Sequence, residues 1–190
     1  VMVFFPGMVN AACRGENGVR CFPIQASARP GRGGLRLIGV HSDQARESCQ
    51  VAYEFVCRAL RDSVRPRVTD VALFVPQSVD NAFGSSLGVA AAAAILSAMT
   101  GRDLGPECAF LGSCDLYGNT YFDDISADAY LDALEAAGVT TVYAAAGTGA
   151  KLYRYRSGRG IRVVEAANLS VLLEAAYSLP AALRRMEKEE

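Results

Sequence analysis

Gly84-Ser85-Ser86-Leu87-Gly88 places two serines between two glycines, directly ahead of the five-alanine run Ala90–Ala94. A serine on a tight turn at the mouth of a helix is placed as a nucleophile is placed, but its hydroxyl is inert without a base whose pKa lies near working pH. The chain offers few such bases. Its only lysines are Lys151 and Lys188, its one histidine is His41, and the acidic candidates are Asp123, Asp124 and Asp128. His41 is the residue whose unperturbed pKa suits general-base work. Without a base, the simpler reading of Ser85 and Ser86 is steric: small residues where the backbone turns into a closely packed helix.

Other chemistries are poorly represented. Six cysteines (Cys13, Cys21, Cys49, Cys57, Cys108 and Cys114) form no CxxC pair, and one histidine does not complete a zinc set, so no metal is expected. Thiols scattered through apolar segments read as small buried hydrophobes in a reducing, intracellular compartment, mitochondrial or cytoplasmic. A formal net charge of −1 over 190 residues, with no basic block, gives no nucleic-acid footprint. The exception is the arginine-rich stretch 154–162, with Arg154, Arg156, Arg159 and Arg162, which could serve an RNA-associated factor. No GxxxxGK[ST] loop is present, and neither GRGG nor GTGAK has the spacing and strand-to-helix setting of a phosphate loop, so no cofactor is expected. The apolar start VMVFFPGMVN is cut by Pro6 and Gly7 and reads as a strand, with no membrane span expected.

The elements that must position these residues follow from periodicity. Val19–Ala28 and Leu35–Val40, separated by RPGRGG, read as a hairpin, and a helix capped by Ser42 or Asp43 buries Ala45, Cys49, Ala52, Tyr53, Val56, Ala59 and Leu60 against it. DVALFVP reads as a strand covered on both faces. A helix from about Gly84 to Thr100 closes at Gly101, and CAFLGSCDLYGNTYF forms strand, turn and strand. Ser126 caps a helix with Ala127, Tyr130, Leu131, Leu134 and Ala137 on one face. TTVYAAA and IRVVEAA are strands joined by an exposed loop in which Lys151 is solvated, and Asn168 caps a final helix reaching about Arg185. The expected fold class is α/β, a mixed sheet with packed helices, in a single domain over 1–185 with a charged tail at 186–190.

Four motifs in order resemble the proteolytic domain of Lon-type proteases: PGRGGLRLIGVHSDQARESCQVAYEFV, GSSLG, AFLGSCDLYGNTYF and ALEAAGVTTVY. The resemblance implies that family's ribosomal-protein-type βαβ layout, with Ser86 at the place of the nucleophile in the family's Gly-Pro-Ser-Ala-Gly box. It also implies a lysine base at the start of the helix after the third motif. Counting back from Gly138 puts Asp128 there, and counting forward from Gly118 puts Ala127 there. A carboxylate in a first helical turn is stabilised by the helix dipole and becomes a weaker base. The family's threonine and acid around the glycine of its TGE sequence become Leu111 and Ser113, and the residue after the serine becomes Leu87. The resemblance therefore implies a Lon-type homologue with a vestigial serine and no peptidase activity, a protein-binding or structural subunit of a larger assembly or homo-oligomer. The alternatives are an active serine endopeptidase using Ser86 with His41 or an acidic residue, and an RNA-associated factor of related fold.

Overall fold

A computed structural model describes residues 3–60, 69–76, 87–124, 126–156 and 160–177. Strands β1 (Met8–Gly15), β2 (Gly18–Pro30), β3 (Gly34–Ile38), β4 (Thr69–Phe74), β5 (Cys108–Leu111), β8 (Thr141–Ala145) and β9 (Arg162–Ala166) form one mixed sheet in the order β3-β4-β2-β1-β5-β8-β9. A separate antiparallel pair, β6 (Ser113–Cys114) and β7 (Thr120–Tyr121), stands beyond β5. The helices are α1 (Asp43–Ala59), α2 (Gly88–Thr100), α3 (Ala127–Ala136), α4 (Thr148–Arg156) and α5 (Leu169–Tyr177).

Two apolar clusters lie on opposite faces of the sheet. One joins α1, α2 and α5 to Val9, Ala11, Cys13, Ile24 and Leu73. The other joins Tyr130, Leu131 and Leu134 of α3 and Leu152 of α4 to Ala12, Leu111 and Val142. Helix α2 is buried from Gly88 to Ser97, because alanine lets it approach both the sheet and α1, and a helix apolar on all sides is stable only when enclosed. Helix α1 carries its apolar residues on one face, and its cap is as expected: Ser42 Oγ accepts from the Ala45 N–H at 3.1 Å.

Several sequence expectations are corrected. Strand β2 pairs antiparallel with β1 and with β4, while β3 pairs parallel with β4, so β4 separates the two strands expected to form a hairpin. The turn formers did reverse the chain, but the turn is fastened to β4: Asp70 Oδ1 accepts the N–H groups of Arg32 and Gly33 at 3.1 and 3.0 Å. Helix α1 consequently packs chiefly on α2. Strand β4 buries Val71 and Leu73 on one side, while Ala72 and Phe74 on the other are half-covered. The stretch expected to be an exposed loop contains α4, with Leu152 and Thr148 fully buried. Gly149 N donates to Glu165 Oε2 at 2.7 Å and thereby caps that helix from β9. GTGAK therefore does follow a strand and open a helix, with only Gly147 ahead of α4, contrary to expectation. Ala137 is exposed, and Ser126 occupies the N-cap position of α3 without a side-chain cap bond. Asn168 does cap α5, its Oδ1 accepting from Ser170 N at 2.8 Å. The expected extension of α5 to Arg185 lies outside the described residues, as does the helix turn expected before Leu87. Among the described residues no helix is long and apolar enough to cross a membrane.

Candidate active site

The sheet brings the start of α2 onto the carboxyl end of β5. Val89 N donates to the Gly112 carbonyl at 3.1 Å, and Gly88 lies so close to β6 that a Cβ there would stand 3.2 Å from Cys114 N and 3.3 Å from its Sγ. The second glycine of GSSLG thus has a packing reason. Gly112 has φ 126°, and a Cβ on it would meet the Ala145 Cβ at 2.7 Å and the Tyr121 carbonyl oxygen at 3.2 Å. This glycine lets β5, β7 and β8 converge beneath the helix mouth. Ser85 and Ser86 lie outside the described residues, immediately before this frame.

Around the frame stand Leu87, Ser113 and Cys114, all buried, and the exposed Tyr121. Burial, then the charge of Asp115, pushes the Cys114 thiol up to about 12, so it stays protonated and supplies no alternative nucleophile. Burial first, then Cys114, Asp115, Asp123 and Glu47, raise the Tyr121 phenol, which marks those side chains as its electrostatic neighbours. The β6–β7 turn is built on Asp115: Oδ1 accepts from Tyr117 N and Asn119 N, each at 2.9 Å, and Oδ2 from Asn119 Nδ2 at 2.8 Å. Burial raises the Asp115 carboxyl, but these donors outweigh it and hold it below its ordinary value.

At the start of α3 the two positions proposed for a base part company. Ala127 is buried in the apolar cluster with Leu111, Phe122 and Tyr130, while Asp128 is exposed in the first turn. Asp124 does the work expected of Ser126. Its Oδ1 accepts from Ser126 N at 2.9 Å, its Oδ2 from the Tyr130 hydroxyl at 2.9 Å, and Arg14 grips both oxygens, Nε to Oδ2 at 2.7 Å and Nη2 to Oδ1 at 3.2 Å. Burial pushes this carboxyl up, but Arg14, the Ser126 amide and Tyr130 together pull it down to about 2. Such a carboxylate is a poor proton acceptor near neutrality. Asp123 is exposed beside it.

Lys151 is not simply solvated. From α4 its Nζ donates to the Phe122 carbonyl and lies 5.3 Å from the centre of the Phe122 ring, at the loop that leads into α3. Sequence reasoning missed this because the helix carrying Lys151 was read as a loop. His41 is exposed at the junction of β3 and α1, next to the buried Val40, whose carbonyl accepts from Arg46 Nη1 at 2.9 Å. Arg162 is exposed on β9, and the helical span of α4 reaches Arg156, so the basic stretch is divided between a helix and a strand. No group of three or more metal-ligating side chains occurs among the described residues.

A mixed α/β sheet, an alanine-rich helix preceded in the sequence by two serines, and a glycine that draws a strand pair beneath the start of that helix define the class of serine-peptidase-like α/β domains. Residues 5–125, more than half of the chain, match the Lon protease (S16) C-terminal proteolytic domain, and the chain belongs to that family. It is 33% identical over 116 residues to a Lon protease of Neorickettsia sennetsu, covering 59% of this chain and 14% of that protein. It is 32% identical over 120 residues to a Lon protease of Mycoplasma genitalium, 61% of this chain and 15% of the relative. Lon protease 1 of Bacillus subtilis is 31% identical over 116 residues, 59% of this chain and 15% of its own length. The chain thus corresponds to about one seventh of these relatives. The family match includes GSSLG and the β5–β7 segment and ends two residues before α3 begins.

Proposed function

We propose that this chain is a Lon-type proteolytic domain without peptidase activity, a single domain over 1–185 that binds other protein subunits within a larger intracellular assembly, mitochondrial or cytoplasmic. The observation that carries the reading is the start of α3, where the inward position is Ala127, inside the apolar cluster, and the outward one is Asp128. A serine hydroxyl near pH 7 needs a base held within hydrogen-bond reach, and neither side chain supplies one. Asp124, the other carboxylate at that helix start, is spent on Arg14, Ser126 and Tyr130. Ser86 is then a vestige of a nucleophile. The experiment is labelling by a fluorophosphonate serine probe. Absence of Ser86-dependent acylation is expected, and stoichiometric labelling lost in Ser86→Ala overturns the reading.

One observation favours an active serine endopeptidase, the runner-up. Lys151 brings an amine to the loop before α3, which makes it a stronger surrogate base than His41 on the exposed β3–α1 junction. On that reading labelling of Ser86 would vanish in Lys151→Met and persist in His41→Ala. An RNA-associated role has less support, since the basic stretch is split between α4 and β9, and it predicts a salt-sensitive RNA mobility shift.

A further inference from the structure

One face of the seven-stranded sheet is covered by α1, α2 and α5, and α3 and α4 cover the other over β1, β5, β8 and the first half of β2. Beyond that, on β2, β4 and β3, no helix lies over the second face among the described residues. Alternation turns Ala26, Ala28, Val71, Leu73, Leu35 and Leu37 toward the helices and leaves Ser27, Arg29, Asp70, Ala72, Gly34 and Arg36 on the open side. Register arranges these last six in two rows, Arg29–Asp70–Gly34 and Ser27–Ala72–Arg36. Each row contains one position with little or no side chain. Ala72 contributes a methyl group, and a Cβ on Gly34 would meet nothing within 4 Å. The sheet surface is therefore hollow there, and the six residues line a concavity of about 300 Å³.

The hollow is basic. Arg29 and Arg36 are exposed at diagonally opposite corners, and among the described residues neither guanidinium has a hydrogen-bond or ion-pair partner. Two strand spacings and one two-residue step put their Cα atoms roughly 12 Å apart, a gap that two arginine side chains leaning inward can close on one anion. The one carboxylate in the wall, Asp70, is already engaged: Oδ1 accepts from the Arg32 and Gly33 amides at 3.1 and 3.0 Å, and a Cβ on Gly31 would stand 2.0 Å from Oδ2. Its charge faces the RPGRGG turn. With Arg32 exposed in that turn, three arginines against one aspartate leave the hollow and its rim net positive. We propose that this hollow binds the phosphate group of a small organic phosphate monoester. Such a group carries a charge of about −1.5 to −2 near neutrality and three acceptor oxygens, which complement two guanidinium forks and the Ser27 hydroxyl. A lone carboxylate would leave one guanidinium unneutralised. The concavity has room for more than the phosphate and stands at the lower end of the size range of ligand pockets, so the carbon skeleton lies over Ala72 and Gly34. The proposal goes beyond the reading of the chain as a protein-binding subunit and does not depend on the state of Ser86.

Titration calorimetry of the full chain in a phosphate-free buffer at about 0.1 M salt tests it, with phenyl phosphate as the probe and inorganic phosphate alongside. Phenyl phosphate is expected to bind saturably, and more tightly than inorganic phosphate because its ring covers the Ala72 methyl. Arg29→Gln and Arg36→Gln, with wild-type circular dichroism, should each weaken binding about ten-fold through loss of a charge-assisted contact. Arg162→Gln, an exposed arginine on β9, should leave it unchanged. Binding should also weaken as pH falls through about 6, where the ester loses its second charge while the guanidiniums keep theirs. In the wild-type chain the probe should move the amide chemical shifts of Ser27, Gly34 and Ala72. Absence of saturable binding overturns the proposal. So does an affinity that survives both arginine substitutions, falls equally in Arg162→Gln or is matched by inorganic phosphate, and so do shifts confined to other strands.

Discussion

Two residues hold the candidate site in shape by opposite means, one by having no side chain and one by having a fully engaged one. Gly112 combines a backbone conformation that L side chains rarely adopt with a position where a Cβ would overlap the Ala145 methyl at 2.7 Å. Gly112→Ala should therefore destabilise the fold by about 2–3 kcal/mol, from backbone strain together with overpacking, and a melting temperature equal to wild type would contradict the account. Asp124 is the engaged one. Its carboxyl is drawn from 3.8 to about 2 in the folded state, so it binds protons more weakly there than in the unfolded chain. The resulting stability, about 2 kcal/mol at most, is present above the unfolded value and is lost as pH falls from about 4 towards 2. Arg14→Ala removes the main donor, so its stability deficit should be constant from pH 5 to 7 and shrink below about pH 4. Denaturant titrations of both proteins across that range measure it, and a deficit that grows on acidification would refute the linkage.

At the scale of elements, the start of α3 decides what a restored lysine could do. Ala127→Lys would bury an ammonium among Leu111, Phe122 and Tyr130, where desolvation is costly and the neutral amine is favoured only if the helix still forms. Asp128→Lys would place the amine outside, in the exposed first turn of α3, where solvation favours the protonated, non-basic form. Neither variant is expected to acquire Ser86-dependent acylation, Ala127→Lys chiefly through lost stability and Asp128→Lys through misplacement. Labelling of either that disappears with Ser86→Ala would show that the site lacks only its base. The same helices mark how far the sequence could be read. The stripes of α1 and α3 and the cap of α5 were legible because periodicity and capping are local signals. Helix α4 was not, since its glycines and arginines read as loop, while burial of Leu152 and the Glu165 cap, supplied from a later strand, hold it as helix. The place of β4 between β2 and β3 was hidden for a related reason: RPGRGG signals a reversal, but the partner that fastens it, Asp70, lies 37 and 38 residues away.

Among the described residues the two faces of the sheet are unequally covered, and this sets an order of local stability. Helix α2 is enclosed between the sheet and α1, with every residue from Gly88 to Ser97 buried, so its amides open only with the core around them. Strand β3 is an edge strand, paired on one side with β4 and bare on the face that carries Arg36 and Ile38, with no wholly buried residue of its own. Its opening breaks one ladder and exposes little apolar surface. Hydrogen exchange followed by mass spectrometry should therefore find α2 the slowest segment and β3 among the fastest strands, with β1 and β5, which are paired on both sides, in between. A β3 that exchanges as slowly as α2 would mean that its edge position and exposed face cost the strand nothing.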